Sequence, residues 1–117
     1  MIGGTLHRWT VAHGLLAMLA TATACAAPGA PPGKAIAFDR NKGNCLSCHV
    51  ITDGELPGDI GPPLINLQQR YPDKARLRAQ VYDATVKNPS TMMPPFGRHL
   101  ILKDAEIDQI VDYLFTL

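Results

Sequence analysis

Apolar positions recur with a helical period in two parts of the chain. Ile107, Ile110, Val111 and Leu114 stand at i, i+3, i+4 and i+7, which predicts a last helix over roughly 104–115. Acids in its first turn suit the positive end of the helix dipole, although Lys103 stands where an oxygen-bearing cap would serve better. Upstream, Asp73 is placed to cap a helix running to about Lys87, along which Leu77, Val81, Ala84 and Thr85 keep the same period until Pro89 forbids continuation. A shorter helix fits "KAIAFDRNKG", with Ile36 and Phe38 as anchors and Gly43 as its stop, after a linker "PGAPPG" at 28–33. No alternating strand pattern competes and no repeat is present. The expected class is all-α, with long loops between the helices.

The first 27 residues follow different rules. They hold one basic residue, Arg8, a largely apolar run "VAHGLLAMLATATACAA" and no acid, the pattern of a cleaved secretory signal. The run is short and rich in Ala and Thr, which argues against a membrane span. Cleavage near Ala26 or Ala27 is expected, leaving one domain over 28–117; lipid attachment at Cys25 is the competing fate, weakened by Ala22 where such sites prefer leucine. No twin-arginine pair is present, so the chain is expected to be exported unfolded. Export removes Cys25, His7, His13, Met1 and Met18. The soft and nitrogen ligands that remain are Cys45, Cys48, His49, Met92, Met93 and His99.

Those few residues change the picture. Cys45, Cys48 and His49 form C-x-x-C-H, the spacing for covalent attachment of a c-type haem, in which two thioethers hold the porphyrin edge and the imidazole binds iron. A structural zinc site would need four ligands, and no second Cys or His pair follows. A thioredoxin-like C-x-x-C would need a βαβ frame, which the pattern lacks. About 90 mature residues lie near the size where an apolar core alone is marginal, so a haem would serve as part of the core. The loops agree, because loops this long in a small domain are usually functional or wrapped round something.

Two loops supply the rest of the expected site. In "GDIGPPL", Pro62 can offer its carbonyl to the Nδ1 hydrogen of His49, and Leu64 is expected to press on the same face of the porphyrin. In "NPSTMMPPFGRH", Met93 is the expected sixth iron ligand, since the Pro94-Pro95 pair stiffens the chain beside it; Met92 and His99 are the rivals. The metal ligands are then His49 and Met93. Arg98 and His99 are placed to meet a haem propionate, and Pro94, Pro95 and Phe96 to form an apolar rim for electron exchange. Charge excludes little: the ten Lys and Arg left after Arg8 balance ten acids. A basic group at Arg70, Lys74, Arg76 and Arg78 and an acidic group at Asp104, Glu106, Asp108 and Asp112 read as solvated helix faces, and nothing resembles a nucleic-acid site.

C-x-x-C-H, then G-P-x-L, then a methionine before proline resemble class I cytochromes c over nearly all of residues 28–117. More narrowly, "KGNCLSCH", "GELPGDIGPPL", "RYPDKARLRAQVYDAT", "NPSTMMPPFGRHLIL" and "EIDQIVDYL" are similar to the SoxX family, the small monohaem subunits of SoxAX cytochromes. That resemblance implies one covalently bound haem c and a periplasmic location. It also implies partnership with a larger SoxA-type haem subunit in an L-cysteine S-thiosulfotransferase, which oxidatively couples thiosulfate to a cysteine of the SoxYZ carrier. The chain itself is then expected to hold no catalytic residue and to pass electrons to a downstream cytochrome. Two other readings stand beside it: a freestanding periplasmic electron shuttle, and a ligand-binding or peroxidase-like haem module, which needs an open sixth site.

Overall fold

The computed structural model describes residues 29–117, together with Met1 and Gly3. The rest of the expected leader, with Arg8 and Cys25, lies outside the described residues. Four α-helices follow in order: α1 (Pro32–Phe38), α2 (Leu67–Arg70), α3 (Lys74–Tyr82) and α4 (Asp104–Leu114), with single 3₁₀ turns at Cys45–Ser47 and Ala84–Val86. No strand occurs among the described residues. The class is all-α, as the periodicity predicted.

The frame is the crossing of α1 and α4. The apolar stripe of α4 is buried at Ile107, Ile110, Val111 and Leu114, each at most 3% exposed. Against it lie Ala37, fully buried, and Phe38, whose ring meets Tyr113 edge to face at 6.3 Å. Gly33 sets the approach. A Cβ at that position would lie 1.8 Å from the Gln109 carbonyl oxygen, so no larger residue lets the two backbones come this close.

This crossing also explains why the first helix begins earlier than the sequence suggested. Pro32 and Gly33, assigned to a linker, are its first turn; a proline there loses no intrahelical hydrogen bond and has its φ already set. The helix also ends earlier, at Phe38 instead of continuing towards Gly43. The Asp39 carboxylate accepts from Asn41 N at 2.8 Å, and its carbonyl takes both Lys42 N and Asn44 N at 3.0 Å, which turns the chain out of the helix.

α3 differs from expectation in a similar way. Asp73 caps it, accepting from Arg76 N at 2.8 Å, and Leu77 and Val81 are buried as the period required. It stops at Tyr82, not Lys87. Asp83 leaves helical geometry (φ −153°), and its carboxylate takes Thr85 N at 3.0 Å, so Ala84–Val86 becomes a separate turn. The one-turn α2, entered through Asn66 in the left-handed region (φ 51°), was not anticipated. Four residues are too few to show a period.

The two charged clusters face each other. Arg78 of α3 bonds Asp108 and Asp104 of α4, both at 2.6 Å, and Lys74 bonds Asp112 at 2.7 Å. These pairs are largely exposed, so they contribute register more than stability. Lys103 gives α4 no side-chain cap, but its N–H donates to Glu106 Oε2 at 3.0 Å, which supplies half of a capping box. Glu106 also accepts from Lys42, tying the turn after α1 to α4.

Two outcomes follow from this frame. Gly33→Ala should lower the stability of the haem-loaded protein by about 1–3 kcal/mol, the usual cost of overpacking, read as a lower urea midpoint. The Glu106 carboxyl is held below its ordinary range, first by the Lys42 hydrogen bond and then by Lys103 N. Its contribution is therefore present above the usual Glu range and is lost as pH falls through the lower folded value. Glu106→Gln should reduce the urea midpoint at neutral pH, with the difference from the parent protein closing on acidification below about pH 4.

Candidate haem-binding site

The C-x-x-C-H segment is bent into one tight turn. Asn44 enters it in the left-handed conformation (φ 47°), which Asn tolerates better than most side chains. Cys45 O then accepts both Cys48 N at 3.2 Å and His49 N at 2.9 Å. Gly43, buried, runs against α1: a Cβ there would lie 2.9 Å from Ile36 O and 3.3 Å from Cys45 Sγ. The motif is thereby fixed to the end of the first helix.

The loop that follows folds back over the motif. Gly58 N donates to Leu46 O at 2.7 Å, Gly61 N to Cys48 O at 2.7 Å and Leu64 N to Val50 O at 2.8 Å. Two glycines make this close approach possible. A Cβ on Gly58 would lie 2.0 Å from Ser47 O, and one on Gly61 would lie 2.3 Å from the His49 ring. Arg70 Nη2 holds the far end by donating to Pro63 O at 3.0 Å.

The loop delivers a carbonyl to the imidazole. His49 Nδ1 and Pro62 O are 2.7 Å apart, and since a carbonyl only accepts, Nδ1 carries the proton. Nε2 is left with its lone pair, the form needed by a metal ligand, and the ring is held in orientation by Pro62 and by the backbone of Gly61.

The donor set fits a covalently held haem better than a zinc ion. Cys45 and Cys48 are half-buried and form no disulfide. Burial pushes the Cys45 thiol up to about 11, which disfavours the thiolate that zinc requires and is compatible with a neutral thioether. Among the described residues no group of three or more His, Cys, Asp or Glu is placed to hold a metal. Cys45, Leu46, Leu64 and Met93 pack, half-buried, against the buried cluster that includes Ile51, Leu67 and Phe96, so the motif opens onto apolar surroundings.

The structure brings Cys45, Cys48, His49, Pro62 and Leu64 together in one folded-back unit. Met93 joins the same apolar cluster from a separate loop, which is shaped by Thr91 N to Asn88 O at 3.0 Å and Met93 N to Thr91 Oγ1 at 3.1 Å. Of its rivals, Met92 is 75% exposed and His99 is exposed. One expectation from the 94–99 stretch is corrected. Phe96 is buried and forms no surface rim, because its carbonyl ties Ile101 N and Leu102 N and turns the ring inward among core residues. Arg98 is half-exposed and pairs through Nε with a protein carboxylate, 3.2 Å from Asp83 Oδ2.

Sequence reasoning missed Gly58 and Gly61. Their role lies in a register that exists only in the folded chain: loop residues 58, 61 and 64 meet motif residues 46, 48 and 50, three steps of loop for every two of motif.

A cytochrome c family model matches residues 30–117 of this chain. No curated protein sequence matches it. Among solved structures, a chain from the crystal structure of SoxXA from P. pantotrophus is similar with a TM-score of 0.66 and 32% identity, covering 77% of this chain and 82% of that one. The C-x-x-C-H turn, the carbonyl aimed at its histidine and a family match that runs through the whole helical domain lead to a single assignment: the chain belongs to the cytochrome c family and is an electron-transfer domain made to carry a covalently bound haem.

Proposed function

We propose that this chain is the small electron-accepting subunit of a SoxAX-type L-cysteine S-thiosulfotransferase, partnered by a larger SoxA-type haem subunit. The observation that carries this reading is the likeness to a SoxXA chain at 32% identity over most of both chains. In this reading residues 1–27 are a cleaved leader and 28–117 act in the periplasm.

Cys45 and Cys48 would hold the haem by thioether bonds, and His49 and Met93 would bind its iron. A bound haem c supplies a one-electron couple. The chain's own residues determine how that couple is held. Pro62 keeps the His49 proton on Nδ1 and makes the ring a stronger donor. Met93 presents a soft thioether, a donor that favours reduced iron and so suits an electron acceptor.

Joining thiosulfate to a carrier cysteine makes a sulfur–sulfur bond, releases the thiol proton and yields two electrons. Cys45 and Cys48 are the only cysteines among the described residues, and both are committed to the haem in this reading. The thiol chemistry therefore belongs to the partner subunit and the SoxYZ carrier, and this chain's part is to take up electrons and pass them to a downstream cytochrome.

The haem-loaded protein drawn from periplasm should co-purify with a larger haem protein. Purified alone, it should be reducible yet unable to couple thiosulfate to the carrier, and adding the larger subunit should restore coupling. Recovery as a lone soluble cytochrome, with no gain from the partner, would leave the freestanding shuttle instead. Conjugation by the pure isolated chain would overturn the division of labour.

A further inference from the structure

The stretch that follows Met93 is held more firmly than a surface loop needs to be. Each N–H from Phe96 to Leu102 has a backbone acceptor. Two of these bonds leave the loop: Gly97 N and Arg98 N both donate to Tyr82 O, at 3.0 and 3.4 Å. Gly97 is buried against the Tyr82 ring, and a Cβ there would lie 2.0 Å from a ring carbon. The loop is thus clamped onto the last residue of α3.

Asp83 completes the clamp from the next position. Its side chain is 9% exposed, an unusual place for a carboxylate, and it is fully engaged. Oδ1 accepts from the backbone and hydroxyl of Thr85, and Oδ2 faces Arg98 Nε at 3.2 Å. The carboxyl is held below its ordinary range, first by the Thr85 hydroxyl, with Arg98 adding to the effect. The residue that breaks α3 is therefore the residue that receives the loop.

We propose that Asp83 and Arg98 form a latch that fixes the 93–99 loop to the end of α3 and so positions Met93 as an iron ligand. Between Met93 and the clamp at Gly97 lie only Pro94, Pro95 and the buried Phe96, and the fixed φ angles of the prolines transmit the anchored position of Phe96 back to the methionine. Thr85 holds Oδ1 and so fixes the carboxylate in place, leaving Oδ2 turned to Arg98. The proposal makes Asp83 and Arg98 positioning residues, and it rests on the reading of Met93 as the sixth ligand.

The test compares parent, Arg98→Ala, Arg98→Lys, Asp83→Asn and the Asp83→Asn/Arg98→Ala double variant, all haem-loaded. Arg98 is half-exposed, so its replacement leaves a foldable protein even where the Asp83 variant does not. Three readouts are taken: amide exchange over 96–102, the far-red band of methionine-ligated ferric haem, and the rate of carbon monoxide binding to the ferrous protein. Arg98→Ala should speed both exchange and carbon monoxide binding by about two- to fivefold, the effect of losing one partly exposed ion pair. Arg98→Lys should recover part of the loss, and the double variant should be no worse than the poorer single variant. Unchanged exchange in Arg98→Ala would overturn the latch. Faster exchange with an unchanged carbon monoxide rate would overturn its positioning role. In an otherwise parental chain, Met93→Ala should abolish the far-red band; its persistence would sink the ligand reading independently of the exchange result.

Discussion

The contact between His49 Nδ1 and the Pro62 carbonyl is the constraint on which the site depends. It fixes which imidazole nitrogen carries the proton, and it can form only because the intervening loop doubles back at close range. Gly58 and Gly61 permit that return, and three backbone hydrogen bonds from 58, 61 and 64 to 46, 48 and 50 hold it. A loop with no secondary structure of its own is thus ordered by the segment it serves. Local sequence becomes loop geometry through main-chain bonding, backed by the packing of Leu46, Ile51 and Leu64 on the core.

The helical frame supplies the position of that unit. Gly33 lets α1 lie directly on α4, the apolar stripe of α4 fills the space behind, and Gly43 attaches the haem motif to the end of α1. On the other side, α3 packs against α4 under a row of ion pairs, and its last residues receive the loop carrying Met93. The C-x-x-C-H turn and the Met93 loop are therefore attached to two different helices of one small scaffold. Their relation is set by how α1 and α3 each meet α4.

Much of this was legible in the residues. The period of Ile107, Ile110, Val111 and Leu114 marked α4, Asp73 marked the start of α3, and C-x-x-C-H with Pro62 marked the haem site. What escaped has physical reasons. Pro32 and Gly33 read as linker because the first turn of a helix is the one place where proline costs nothing, and the need for glycine lay in Gln109, distant in sequence. Asp83 looked like one more helical position until the structure showed its carboxylate turned to Thr85 and Arg98. The charge clusters looked independent because cross-helix pairing leaves no local spacing to read.

The central claim is that residues 45–64 form a covalent haem site, and the most direct test is the intact mass of the exported chain under denaturing conditions. The account predicts that one haem per chain stays attached after unfolding, through Cys45 and Cys48. A chain at its bare mass with two free thiols, after maturation where other c-type cytochromes acquire their haem, would contradict it.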